Sequence, residues 1–134
     1  LGKILNADLA IVDKRRPKPG QSKVMNVIGD VNGKTCIIVD DIIDSGGTII
    51  NAAKALKDRG ANDVYVYITH GVLSGESVDK IKKSVIKNLV ITDTIDNHDK
   101  IKKVKNIEVL PISSLMGEAI KRISNSTSVS DLFK

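Results

Sequence analysis

Aromatic side chains are nearly absent from this 134-residue chain, which has two Tyr, one Phe and no Trp. A core must therefore be assembled from Ile, Val, Leu and Ala. The scarcity also counts against a single-stranded nucleic-acid platform, which needs rings for bases to stack on. There is one cysteine, Cys36. It rules out an intramolecular disulfide, and its place in an apolar run reads as a buried, inert thiol. No apolar run is long enough to cross a bilayer, and no signal peptide is visible. No membrane role and a cytoplasmic location are the expectations.

The length suits one domain. Hydrophobic residues make up 41% and charged residues 28%, an ordinary globular balance that supports a real core. The net charge of +5 favours anionic partners. It comes from Lys14–Lys23, Lys80–Lys87 and Lys100–Lys105, and the last two runs read as solvated faces. The chain begins at Leu1, and Leu1–Asp8 reads as the end of a helix already under way, followed by a turn. An N-terminally truncated piece of a longer protein is expected.

Strands are predicted at Ala7–Val12 and Val24–Gly29, separated by a loop. Pro17, Pro19 and Gly20 exclude helix or inner strand there. Asn32-Gly33 is a hairpin signal. Thr35–Val39 is apolar without alternation, as in a parallel strand buried on both faces. A helix follows over Thr48–Arg59, with Ile49, Ala52, Ala53 and Leu56 inward and Gly60 at its end. Val64–Thr69, Leu89–Thr92 and Ile107–Leu110 read as strands and Glu76–Ser84 as a helix. Ser113–Ser124 is a last helix, with Leu115, Met116, Ala119, Ile120 and Ile123 inward, and a polar tail follows. The alternation predicts an α/β domain with a mostly parallel twisted sheet flanked by helices.

Val39-Asp-Asp-Ile-Ile-Asp-Ser-Gly-Gly-Thr48 carries the chemistry. It joins the end of a buried strand to the start of a helix, where ligands of open parallel sheets bind. Gly46 and Gly47 allow a sharp turn and close approach. The helix start offers free N–H groups and a positive dipole end, and Ser45 and Thr48 add hydroxyls. That set suits a phosphate. Asp40, Asp41 and Asp44 would repel one, but they suit sugar hydroxyls or water-held Mg²⁺. A sugar phosphate presents both. Asp44 and Ser45 are also expected to cap the helix. No Lys follows the glycines, so this is not a nucleotide P-loop. The basic segment Asp13–Gly20 reads from composition as a solvated loop, a nucleic-acid patch or a loop closing on an anionic transition state. His70 at a strand end reads as structural or as supporting a ligand-contacting neighbour. His98 reads as solvated. Neither belongs to a metal-ligand cluster by spacing.

Val39–Thr48 resembles the PRPP-binding motif shared by type I phosphoribosyltransferases and PRPP synthetases. Asp13-Lys-Arg-Arg-Pro17 resembles the catalytic flexible loop of the synthetases in particular. Val24–Lys34 is similar to that family's hairpin, Thr69–Gly75 and Thr92–Ile95 to its strand-end segments, and Ser128–Phe133 to its C-terminus. The resemblance spans the chain and implies a C-terminal ribose-5-phosphate-binding domain over residues 1–134, with a type I phosphoribosyltransferase-like fold. It implies Lys14 and Arg16 as catalytic residues. It implies ribose-5-phosphate binding by Arg16, Asp40, Asp41, Asp44, Ser45, Gly46, Gly47 and Thr48, and a regulatory site at Ser128, Ser130 and Phe133. The activity implied is ribose-phosphate diphosphokinase, a transferase of nucleotide biosynthesis that makes PRPP and AMP from ATP and ribose-5-phosphate with Mg²⁺. Most ATP contacts and the metal ligands would come from the N-terminal half, with no metal ligand in this chain, and the piece alone would be inactive. The family implies a homo-oligomer, a hexamer, with no nucleic-acid partner. The alternatives are a phosphoribosyltransferase consuming PRPP and a non-catalytic regulatory protein associated with the synthetase.

Overall fold

The computed structural model describes residues 2–15 and 24–133. In chain order the elements are α1 (Gly2–Leu5), β1 (Ile11–Arg15), β2 (Val24–Ile28), β3 (Thr35–Ile43), α2 (Gly47–Asp58), β4 (Asp63–Gly71), α3 (Ser77–Lys82), β5 (Asn88–Thr92), α4 (His98–Ile101), β6 (Ile107–Leu110) and α5 (Ser113–Ser124), followed by a 3₁₀ turn at Ser130–Phe133. The strands β3-β4-β5-β6 form one parallel sheet in that order, and β1 and β2 form a separate antiparallel ribbon. The α/β class with a parallel sheet is as the alternation of elements implies. The first strand lies later than expected, at Ile11–Arg15 rather than Ala7–Val12.

The core is made of Ile, Val, Leu and Ala. Val64, Val66, Ile68, Leu89, Ile91 and Ile107 come from the sheet and meet Ile49, Ala53 and Leu56 of α2, Ile81 of α3 and Ile101 of α4. The four predicted inward residues of α2 are all buried. Cys36 is half-buried rather than buried, and desolvation raises its thiol pKa, which keeps it in the unreactive thiol form.

Three further expectations fail. The Asn32-Gly33 turn forms, closed by Lys34 N–H donating to the Val31 carbonyl at 3.1 Å, but it is not a hairpin turn. β2 pairs with β1 instead of β3. Gly33 N–H donates to the Gly60 carbonyl at 2.9 Å and Asn62 Nδ2 to the Gly33 carbonyl at 2.6 Å. The turn is thus tied to the far end of α2 and sends the chain from ribbon to sheet.

Second, β3 is not buried on both faces. Ile37 and Val39 are 49% and 55% exposed. The helices cover the side that carries Ile38, Val66 and Leu89. The other side carries Ile37, Val39, Tyr65, Tyr67 and Val90 in register; Ile37, Val39 and Tyr67 are exposed, and Tyr65 and Val90 are half-buried.

Third, α5 forms over the predicted residues but does not turn its apolar stripe inward. No residue of it is buried, and Ile120 and Ile123 are 62% and 67% exposed. The periodicity specifies the helix, but it names a face and not what lies against it.

Candidate functional site

The parallel sheet brings the chemistry to the carboxyl ends of β3, β4 and β5. β3 runs longer than its apolar core, through Asp40 and Asp41 to Ile43. The chain then turns at Asp44–Gly46 and enters α2. Asp40, Asp41 and Asp44 are all exposed. The Asp40 carboxylate accepts the Asp41 N–H at 3.0 Å, which holds that side chain at the rim.

Gly46 is buried and stands just before α2 with φ 77°, a left-handed conformation that costs a residue with a Cβ about 1–2 kcal/mol. Gly47 differs: a Cβ there would meet nothing within 4 Å. Its missing side chain leaves open space over the first turn of the helix, where a ligand can reach the backbone.

The expected cap is absent. No side chain hydrogen-bonds to the start of α2, from Asp44, Ser45 or any other described residue. Ile50 N–H reaches the Gly46 carbonyl at 2.9 Å, so helical bonding begins there. The amide donors ahead of it point out of the helix end without a side-chain acceptor. With Ser45 and Thr48 exposed beside them, the strand-to-helix turn presents donors on one side and three carboxylates on the other. Together they match a molecule that has a phosphate at one end and hydroxyls at the other.

A groove of about 790 Å³ runs beside β3, lined by Leu9, Val12, Cys36, Ile38 and Ile49, and it reaches the turn only at Asp40 and Thr48. Its lining also holds Lys34, whose charge is paired with Asp8 and Asp30 of the same lining.

Of the two catalytic expectations, Lys14 lies in β1 opposite Met25, while Arg16 lies outside the described residues, as does the rest of the basic loop to Lys23. Ser128 and Ser130 are brought together, Oγ to Oγ at 2.8 Å. Arg122 Nη1 donates to the Ser128 carbonyl at 2.9 Å. Phe133 is exposed. Among the described residues no three His, Cys, Asp or Glu side chains gather as a metal cage, and no helix is long and apolar enough to cross a membrane.

The resemblance set Thr92–Ile95 at a strand end near the active site, and sequence reasoning gave Asn97 no role; the structure sets Thr92, Thr94 and Asn97 on the rim at the end of β5. Thr92 Oγ1 donates to the Thr69 carbonyl at 2.6 Å, and Thr94 Oγ1 lies 2.9 Å from His70 Nδ1. Buried Asn97 donates to the Gly71 carbonyl at 2.6 Å. The signal available beforehand was their position after a β-strand, where site residues of parallel sheets collect.

Comparison with known proteins bears on the family and the fold. Residues 7–134 match the family model described as the phosphoribosyl synthetase-associated domain. The chain is 62% identical over 128 residues to a ribose-phosphate pyrophosphokinase of Hyphomonas neptunium, covering 96% of this chain and 41% of that protein. To the protein of the same name from Brucella melitensis it is 59% identical over 133 residues, covering 99% and 43%. Among solved structures, phosphoribosylpyrophosphate synthetase from Mycobacterium smegmatis superposes with a TM-score of 0.82 at 34% identity, covering 93% of this chain and 40% of that one. The chain thus spans about two fifths of the relatives it matches. It belongs to the phosphoribosyl synthetase-associated domain family.

Proposed function

We propose that this chain is the ribose-5-phosphate-binding part of a ribose-phosphate diphosphokinase, which transfers diphosphate from ATP to ribose-5-phosphate and releases AMP and PRPP. The observation that carries the reading is the uncapped start of α2 directly after an acidic strand end. The amides of the first turn, with Ser45 and Thr48, bind the 5-phosphate. Asp40, Asp41 and Asp44 accept hydrogen bonds from the ribose hydroxyls. Such a clamp holds the sugar so that its anomeric hydroxyl meets the diphosphate donor, and positioning supplies much of the rate in phosphoryl-type transfer.

Lys14, in β1 next to the basic loop, and Arg16, in that loop, neutralise the transferring diphosphate, Lys as a point charge and Arg as a planar fork. Mg²⁺ held through water suits the rim, where Asp40 and Asp41 are exposed hard-oxygen acceptors, while its direct ligands lie in the part of the full-length protein beyond this chain. It would neutralise phosphate charge during transfer. The remaining ATP contacts lie in the part of the full-length protein beyond this chain. Ser128, Ser130 and Phe133 form a regulatory anion or nucleotide site, and the full-length protein assembles as a cytoplasmic homohexamer.

In the full-length protein, AMP and PRPP formation from ATP and ribose-5-phosphate is expected, and Lys14→Ala should abolish most of it. This chain alone should bind ribose-5-phosphate weakly and turn over nothing. PRPP synthesis by the chain alone, or an unimpaired Lys14→Ala enzyme, would contradict the reading. Pyrophosphate release dependent on a nucleobase would instead identify a phosphoribosyltransferase. An inactive full-length protein that alters the rate of an active synthetase would identify a regulatory partner.

A further inference from the structure

The carboxyl rim of the sheet holds a second set of polar groups beside the acidic turn. His70 is the penultimate residue of β4 and is in register with Ile42, which lies between Asp41 and Ile43. The imidazole is exposed, yet it is not free to wander. Its Nδ1 lies 2.9 Å from Thr94 Oγ1. Thr92 Oγ1 lies 3.1 Å from Thr94 Oγ1, and both hydroxyls reach the Thr69 carbonyl, at 2.6 Å and 3.2 Å. The loop that carries Thr94 is itself fastened. Asn97 is 4% exposed, and its Nδ2 donates to the Gly71 carbonyl at 2.6 Å and the Ile95 carbonyl at 3.2 Å. A buried amide thus ties the loop to the strand that carries His70.

Proton counting assigns the tautomer. The Thr69 carbonyl can only accept. If Nδ1 carries the proton, it donates to Thr94, Thr94 donates to Thr92 or Thr69, and Thr92 donates to Thr69, which makes three hydrogen bonds. If Nδ1 is bare, Thr94 must turn its single proton back to the ring, and two bonds remain. One extra hydrogen bond is worth about 1 kcal/mol, so the neutral ring carries its proton on Nδ1. Nε2 is then an acceptor, and it has no partner among the described residues.

We propose that His70 is a ligand-contacting residue of the sugar-phosphate site, with Nε2 accepting a hydrogen bond from a sugar hydroxyl, and that Thr94 is the positioning residue that fixes the ring. The inference rests on the sugar-phosphate reading of the Asp40–Thr48 turn. A fixed ring loses less rotamer freedom on binding than a free one, which is where the affinity gain arises. A neutral acceptor recognises a hydroxyl and not a phosphate oxygen, so His70 belongs with the acids of the turn and not with its amides.

The test is equilibrium binding of ribose-5-phosphate and of inorganic phosphate to the full-length protein and to its His70→Ala, Thr94→Val, Thr94→Ser and Asp44→Asn variants. Thermal unfolding of each is followed in parallel. His70→Ala should weaken ribose-5-phosphate binding roughly tenfold and Thr94→Val roughly fivefold, with Thr94→Ser within about twofold of the parent. Inorganic phosphate binding should be unchanged in all three. Wild-type ribose-5-phosphate affinity in His70→Ala, with Asp44→Asn impaired, overturns this inference and leaves the site reading standing. Wild-type affinity in both overturns the site reading as well. Equal losses for inorganic phosphate and ribose-5-phosphate, or losses that follow the unfolding temperature and are not rescued by Thr94→Ser, make the cluster structural and also overturn the inference.

Discussion

The two faces of the parallel sheet are built from much the same residues and meet opposite fates. Ile38, Val66, Ile68, Leu89 and Ile91 lie under α2, α3 and α4 in one continuous core. Ile37, Val39 and Tyr67 alternate with them along the same strands and stand exposed. Side chains alternate across a strand, so an unbroken apolar run supplies both faces equally, and local sequence does not say which of them a helix will cover. The apolar stripe of α5 repeats the lesson on a helix. Burial follows the partner and not the hydrophobicity.

The comparison is broken most directly by truncation. Leu89 is fully buried, and Leu89→Ala should cost about 2–5 kcal/mol by denaturant unfolding. Ile37→Ser on the bare face should cost far less in the chain by itself. Equal losses would mean that the bare face is covered in solution.

Next in size are the two glycines of the site. Gly46→Ala should destabilise by about 1–2 kcal/mol, because φ is 77° there and a Cβ is disfavoured. Gly47→Ala meets open space and should leave stability unchanged or slightly raised, since Ala is the better helix former. It should nonetheless weaken ribose-5-phosphate binding in calorimetry. Unimpaired binding by Gly47→Ala would remove the argument that the ligand approaches the backbone there.

Smaller again is the effect of charge on the outward stripe of α5. Ile120→Lys should change stability by no more than about 0.5 kcal/mol in denaturant unfolding. A large loss of stability would show that the stripe is packed.

The smallest effect is the pH dependence of two surface ion pairs. The Asp8 carboxyl is held below its ordinary range by the Lys34 ammonium, which donates to it. The Glu118 carboxyl is lowered by Arg122 and Lys121. A lowered carboxylate pKa contributes stability above the unfolded-state value, and that contribution is lost as pH falls through the folded value. The Lys34 pKa is raised by the same partner, Asp8. Its contribution is present below the ordinary lysine range and is lost as pH rises through the raised value. The Asp8–Lys34 pair is exposed and the Glu118–Arg122 pair half-buried, and both lie at the surface where salt screens them, so Asp8→Asn and Glu118→Gln should only slightly flatten the acid limb of the stability curve.

Much of the site was legible because its chemistry is local. Asp40 to Thr48 are consecutive, and a strand end, a glycine turn and a helix start follow from residue types alone. The missing cap was not legible, since whether Asp44 or Ser45 bonds back to an amide depends on how β3 delivers the turn. The His70 cluster was not legible either, because Thr69, His70, Thr92 and Thr94 come from two strands that meet only when β4 and β5 pair in parallel. The misplaced hairpin has the same origin. Asn32-Gly33 specifies a turn, and whether its flanking strands pair with each other was decided by Gly60 and Asn62, which hold it from a distant part of the chain.

The sequence by itself determined the α/β class, the aliphatic core, the helices and their apolar stripes, and the acidic strand end and glycine turn of Asp40–Thr48, because backbone propensity, periodicity and functional-group type act over a few neighbouring residues. The tertiary structure alone decided which sheet face is covered, where the α5 stripe points, which strand β2 joins and how His70 is held. Those are contacts between segments far apart in sequence, and no local pattern encodes its own partner.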